Sequence, residues 1–447
     1  MAGMAVAGAM RLPLAAQSVR RETLETLATR IRPPKFADRT FDITRYGAVG
    51  NGQTDATTAI AKAIDACSAA GGGMVLVPRG TFLTGAVHLK SGVNLHVDEG
   101  ATLLFSTDPK KYPMVYTRFE STECINYSPL IYAWEQNDIA VTGTGTLDGQ
   151  AGPENWWGWK RDTRTGPGAD RKALVAMGEK DVPVKERVFG EGHSLRPNFL
   201  QPYRCNNVLI EGVSIRRSPM WEINPVLSKN VTVRNVKIDS HGPNNDGCDP
   251  ECSTDVLIDG CIFNTGDDCI AIKSGRNRDG RRVNVPTDGV IVRNCQMKDG
   301  HGGVAIGSEV SGGIRNVFVE NCRMDSPRLD RALRIKTNSY RGGVIENIYF
   351  ANTTVGQVAR AVVDIDFFYE EAEGGPFKPV VRNVAVENVT SERSRYALYM
   401  RGYASAPISG VRITGCKFDN VAQPDVMEHV EGVRLENDLR NGKPMKS

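Results

Sequence analysis

Along the C-terminal two-thirds of the chain a seven-residue unit recurs, with apolar residues at its second and fourth positions and polar or small residues around them. It reads NVLIEGV from Asn207, NVTVRNV from Asn230, DVLIDGC from Asp255, GVIVRNC from Gly289, NVFVENC from Asn316, NIYFANT from Asn347, NVAVENV from Asn383 and GVRITGC from Gly410, with an outlying copy, DIAVTGT, from Asp138. Positions two and four are almost all Val or Ile, the period-two alternation of a strand with one buried face. Starts from Asn207 onward are 23, 25, 34, 27, 31, 36 and 27 residues apart, so a constant strand alternates with loops of variable length.

Position six is Asn or Gly in all nine copies, from Gly143 through Gly212, Asn235, Gly260, Asn294, Asn321, Asn352 and Asn388 to Gly415. These residues best tolerate left-handed backbone angles, so each unit is a strand, a one-residue corner and a new strand. A chain that turns this way once per period stacks strands in parallel about 4.8 Å apart. The expected fold is therefore all-β, a single-stranded parallel β-helix. Ahead of the repeats, Asp55 can cap a helix through Ala59, Ile60, Ala63, Ile64 and Cys67, ended by Gly71 to Gly73, whose apolar stripe would cover the first coil. Met74 to Phe105 then forms the first coils.

Residues 41–447 are assigned to one solenoid domain with an insertion at 151–197, which holds Trp156, Trp157, Trp159 and many Lys and Arg residues. Residues 1–40 are set apart as an export signal or an unstructured start. The Ala- and Gly-rich opening of about sixteen residues carries the first of these readings and, with it, a periplasmic or secreted location. A net charge of +3 and 24% charged residues give no reason to expect nucleic acid as a partner, and no stretch is apolar enough to span a membrane. A monomer is expected. Among the ten cysteines, Cys261, Cys295, Cys322 and Cys416 occupy position seven, where other copies have Val or Thr, and read as interior filler. No Cys-x-x-Cys pair suggests a metal, and neither metal nor cofactor is expected. Cys248 and Cys252 are four apart, and both a bridge and free thiols are open.

Laying the segments after each strand over one another aligns Gly266 to Ser274 with Gly300 to Ser308, Asp330 to Thr337 with Asp267 onward, and Asp246-Gly247-Cys248 with Asp268-Cys269-Ile270. Four successive coils then place Asp246, Asp267 with Asp268, His301, and Arg334 with Lys336 on one flank, a span on the order of 15 Å. Taken singly each is ordinary: an Asp pair after Gly is usually a solvated turn, and Arg-x-Lys a solvated strand face. Four together suit a site for a few sugar rings. Its carboxylates are expected to stand ~6.5–9.5 Å apart across a glycosidic bond, leaving room for a water. Alternation along a strand would send Asp267 and Asp268 to opposite faces, so the scheme needs a bend at Gly266.

At these residues the chain resembles glycoside hydrolase family 28, the polygalacturonases, whose motifs stand here as Asn244-Asn245-Asp246-Gly247, Gly266-Asp267-Asp268-Cys269, Gly300-His301-Gly302 and Arg334-Ile335-Lys336. The resemblance runs from about Phe41 to Val421. It implies a right-handed, pectin-lyase-like parallel β-helix that hydrolyses α-1,4-galacturonosyl bonds of pectin or polygalacturonate with inversion. It further implies Asp267 as general acid, with its pKa raised by the neighbouring charge, Asp246 and Asp268 as activators of water, and His301 as a residue tuning the acid. Asn245, Arg334, Lys336 and Tyr369 would bind substrate, the two cations taking a uronate carboxylate. Asn245 departs from the Thr of many endo-acting members. The insertion either walls off one end of the groove, making the enzyme exo-acting, or plugs the outside of the solenoid. The alternatives are a rhamnogalacturonan-type pectin hydrolase, a calcium-dependent pectate lyase and a non-catalytic carbohydrate-binding solenoid.

Overall fold

The computed structural model describes residues 23–161, 168–370 and 373–446. Three faces of stacked parallel strands wind into a right-handed β-helix. Two faces are fourteen-stranded sheets running nearly the length of the molecule. The third begins as a three-stranded sheet (Val87–His88, Ile131–Trp134, Leu200–Tyr203). It continues through single bridges at Ile223 and Cys248 into six strands, from Ile270–Ile272 to Val426–Glu428.

The seven-residue units form the first long sheet in the expected register, for example Val208 beside Val231 and Val231 beside Val256. Their second and fourth side chains, such as Val256 and Ile258, are fully buried in one continuous core. Each contributes about 1.5–3 kcal/mol of apolar burial, so the repeat itself holds the stack together. All nine position-six residues have positive φ. So do all nine residues at position one, Asp138, Asn207, Asn230, Asp255, Gly289, Asn316, Asn347, Asn383 and Gly410. Each strand therefore has a left-handed residue at either end. The position-one side chains also stack from coil to coil: Asn230 donates to Asn207 at 2.8 Å and Asn207 to Asp138 at 2.9 Å.

Helix Thr57–Ala69 buries Ala59, Ile60, Ala63, Ile64 and Cys67 over the first coil, as expected. Its cap is Ala56; Asp55 instead takes the first helical N–H, that of Thr57, at 2.9 Å. All ten cysteines are buried free thiols, Cys248 and Cys252 included. The division at residue 40 needs correction. Leu24–Arg30 is a helix capped by Thr23, with Leu27 buried against Ile291 and Phe318 on the outer face of the first long sheet. Arg30 pairs with Asp255 at 2.6 Å, and Asn230 exchanges two hydrogen bonds with the backbone of Arg32. The apolar outer residues of the repeat are thus covered by this segment. Residues 1–16, proposed as an export signal, lie outside the described residues. No described helix is long and apolar enough to cross a membrane.

Candidate active site

The alignment of the four coils is the observed strand register. Cys248 pairs with Ile270, Ile270 with Val304, and Val304 with Leu333, so Asp246 and Asp268 occupy equivalent places on adjacent rungs. Gly266 lies in a bend just before strand Ile270–Ile272, and a side chain there would collide with the carbonyl oxygen of Gly242. Gly302 leaves room on the next rung, since a Cβ would stand 2.9 Å from Asp268 Oδ1. Through this bend Asp246, Asp267 and Asp268 all reach one spot, with one carboxylate oxygen of each within 4.8 Å of the others. The expected ~6.5–9.5 Å separation is therefore not met. Two equivalent side chains on adjacent rungs cannot stand much farther apart than the rungs themselves.

Asp268 is fully buried, and both its oxygens are held by cations: Lys336 Nζ donates to Oδ2 at 2.6 Å and Arg334 to Oδ1 at 3.2 Å. Burial favours its protonated form, but the two cations outweigh this and keep it ionised far below the usual carboxylate range. Asp267 is the most exposed of the three at 17%. Its Oδ1 meets His301 Nδ1 at 2.9 Å and accepts the Asp268 backbone N–H at 3.0 Å. Burial raises its pKa, yet the hydrogen bond from His301 brings the net value below the ordinary one. The charge of Asp268 does raise Asp267, as expected, but the His301 hydrogen bond and the charge of Lys336 outweigh it and burial together. The same hydrogen bond raises the pKa of His301. Asp246 goes the other way: burial, then the charges of Asp267 and Asp249, push it well above the carboxylate range. Its Oδ1 is buried with no hydrogen-bond partner among the described residues. Burial and these charges thus favour the protonated form of Asp246, whereas Asp267 and Asp268 are held toward the ionised form.

Arg334 and Lys336 face the ring of half-buried Tyr369 at 5.6 and 5.2 Å, so these three gather beside the acids. An ammonium has three donors and a guanidinium five, which leaves donors beyond those spent on Asp268. Asn245 does not join them. It is fully buried, accepting from Ser240 Oγ and Gly242 N at 2.7 Å and donating to the carbonyls of Ser218 and Met220 at 3.0 and 3.1 Å. With its amide spent on the turn, it shapes the loop that presents Asp246. Lys273, Asp249, Glu222 and Glu309 were missed by sequence reasoning, and all four are buried around the acids.

The insertion is fastened to both banks of the cleft. On one bank Trp157 Nε1 donates to the Ser218 carbonyl at 2.8 Å, and Lys160 and Arg196 donate to Asn244 Oδ1 at 3.0 and 2.8 Å. On the other, Arg171 pairs with Glu370 at 3.0 Å and Arg187 with Asp279 at 2.7 Å. Beneath it is a cavity of about 300 Å³ lined by Trp159, Lys160, Arg171, Lys172, Arg196 and Asn244.

A cluster of three carboxyl groups flanked by cations in a solenoid cleft is the equipment of a carbohydrate-active enzyme. The profile described as Glycosyl hydrolases family 28 matches residues 180–436, more than half of the chain, and one described as Rhamnogalacturonase A/epimerase, pectate lyase-like, matches residues 40–102. The protein belongs to glycosyl hydrolases family 28 and is a glycosidase. It is similar to the crystal structure of a hyperthermoactive exopolygalacturonase from Thermotoga maritima, at 44% identity and a TM-score of 0.91, over 94% of this chain and 96% of that one. A probable polygalacturonase of Vitis vinifera is 28% identical over 87% of this chain and 77% of that protein. An exo-poly-alpha-D-galacturonosidase of Dickeya chrysanthemi is 30% identical over 80% of this chain and 62% of that protein.

Proposed function

We propose that the protein hydrolyses α-1,4-galacturonosyl bonds of polygalacturonate from a chain end, with inversion. The observation that carries this reading is the cluster of Asp246, Asp267 and Asp268 set against Arg334, Lys336 and Tyr369. The two cations would take a uronate carboxylate, which a neutral galactoside lacks. Tyr369 would pack on the sugar face.

Asp267, the most exposed acid, protonates the leaving oxygen. The proton reaches it from Asp246 by way of one bridging water, as carboxylate oxygens within 4.8 Å of each other allow. That transfer leaves Asp246 and Asp268 both ionised around the attacking water. When the water oxygen bonds to the anomeric carbon, the glycosidic bond pair passes to the leaving oxygen, which takes the proton of Asp267. Asp246 takes a proton from the water, and the cluster returns to its resting distribution. Short carboxylate spacings, ~5–5.5 Å, usually accompany a covalent intermediate. Asp268 is unsuited to that role, because Lys336 and Arg334 occupy both of its oxygens.

The insertion, anchored on both banks, would close the cleft at the side of the early coils, so a substrate chain ends there and runs out over the later ones. Cell-wall galacturonan lies outside the producing cell, so this reading places the enzyme in the periplasm or outside it. Product sizing from de-esterified polygalacturonate tests the proposal. Steady release of a single short product is expected, while an early ladder of oligomers would refute chain-end action. An unsaturated product would indicate a lyase, and binding without new reducing ends a non-catalytic solenoid. The rhamnogalacturonase-type match spans only residues 40–102, which hold no candidate site residue, and so gives that reading little weight.

A further inference from the structure

Directly behind the acid cluster stands a cation that the chemistry above does not use. Lys273, with a side chain only 3% exposed, follows strand Ile270–Ile272. Its ammonium is 3.8 Å from Asp246 Oδ2, 3.7 Å from Asp249 Oδ2 and 3.3 Å from Glu309 Oε2, lies 3.4 Å from the Gly307 carbonyl and faces the Trp221 ring at 4.5 Å. None of these distances is that of a tight ion pair, so one charge is shared among three acids drawn from the coils before and after. Asp268 adds its field from Lys273's own coil, and Lys336, Arg276, Arg341 and Arg334 are further cations facing these acids. Among the described residues both oxygens of Asp249 and Oδ1 of Asp246 are buried without a hydrogen-bond partner, which leaves Lys273 as the main compensation for charge on either.

We propose that Lys273 is a positioning residue for the attacking water: its shared ammonium fixes the Asp246 carboxylate and stabilises the ionised Asp246 that forms when the proton moves to Asp267. The inference rests on the role of Asp246 as base. Lys273 touches no substrate, since it lies beneath Asp246 and is walled in by Trp221 and Glu309. The direction of the Asp246 pKa agrees, because the Lys273 charge is what opposes burial and the neighbouring carboxylates there.

Two variants with opposite effects test this. Lys273→Met removes the charge at similar volume; kcat should fall tenfold or more, and the limb of the pH profile that reports Asp246 should move up. KM should stay within about threefold, because the residues that hold substrate are untouched. Glu309→Gln removes one competitor for the ammonium and should move the same limb down. Unfolding of the Lys273 variant would leave the Glu309 variant to decide. A limb that stays in place in the folded variants, or moves the same way in both, overturns the proposal. Asp246→Asn separates the two levels. If it retains wild-type turnover, the base assignment itself fails. If it is inactive while the Lys273 and Glu309 profiles do not move, only the present inference fails.

Discussion

Replacing Asp267 by Asn removes the carboxyl that hands a proton to the leaving oxygen while keeping its shape. Asp267 Oδ1 meets His301 at 2.9 Å and the backbone N–H of Asp268 at 3.0 Å, and an amide oxygen can accept both hydrogen bonds. Arg334, Lys336 and Tyr369 keep their places, so KM should change by no more than about threefold. The lost term is general acid assistance to the leaving sugar, typically ~10²–10⁴ in rate, or about 3–5 kcal/mol of barrier. Reducing-end release from polygalacturonate should fall by that factor. Galacturonosyl fluoride, whose leaving group needs no proton, should be hydrolysed by the variant at close to the wild-type rate. A variant within tenfold of wild type on the polymer, or one equally impaired on the fluoride, would remove Asp267 from the role of acid. The second outcome would transfer that role to Asp246, whose burial favours its protonated form.

Three further outcomes are expected. The His301 pKa is raised by Asp267, so the imidazolium–carboxylate pair is complete below the ordinary histidine value of about 6.5 and is lost as pH climbs past the raised one. The alkaline limb of kcat/KM should reflect that loss and flatten in His301→Gln; an unchanged limb would contradict it. Lys336→Met breaks a buried ion pair whose side chains are 7% and 0% exposed, at a cost of ~3–5 kcal/mol. Since Arg334 still faces Asp268, about 3 kcal/mol is expected from denaturant unfolding, and an unchanged midpoint would refute it. Leu27→Ala should weaken docking of the N-terminal helix by about 2–3 kcal/mol. Limited proteolysis before residue 40 should then accelerate, and equal cleavage in both proteins would show that the helix is not held by this contact.

The solenoid was legible because its constraint is local and repeated: only residues tolerant of φ > 0 suit the corner, and they return every coil. The second left-handed residue, at position one, is an Asn, Asp or Gly in all nine copies, but a polar residue opening a strand is equally compatible with extended backbone. The site was legible as a register. It was not legible as a charge balance: the Asp268 charge does raise Asp267, but the hydrogen bond from His301 one coil on and the charge of Lys336 two coils on outweigh it. Lys273 shares its register with Lys336, so the alignment already contained it, yet a strand lysine ordinarily means a solvated face. Only the loops of adjoining coils bury it. Asn245 misled for the opposite reason: a polar residue next to a catalytic one can be spent wholly on holding the turn.

The central claim is that a cluster too tight for the usual inverting geometry still delivers a water instead of a covalent intermediate. Proton NMR of the first turnovers on a short α-galacturonide measures this directly, before mutarotation mixes the anomers. The β-anomer of the new reducing end should appear first and alone. If the α-anomer appears first, a carboxylate of this cluster is acting as a nucleophile, and the proposed division of labour among Asp246, Asp267 and Asp268 is wrong.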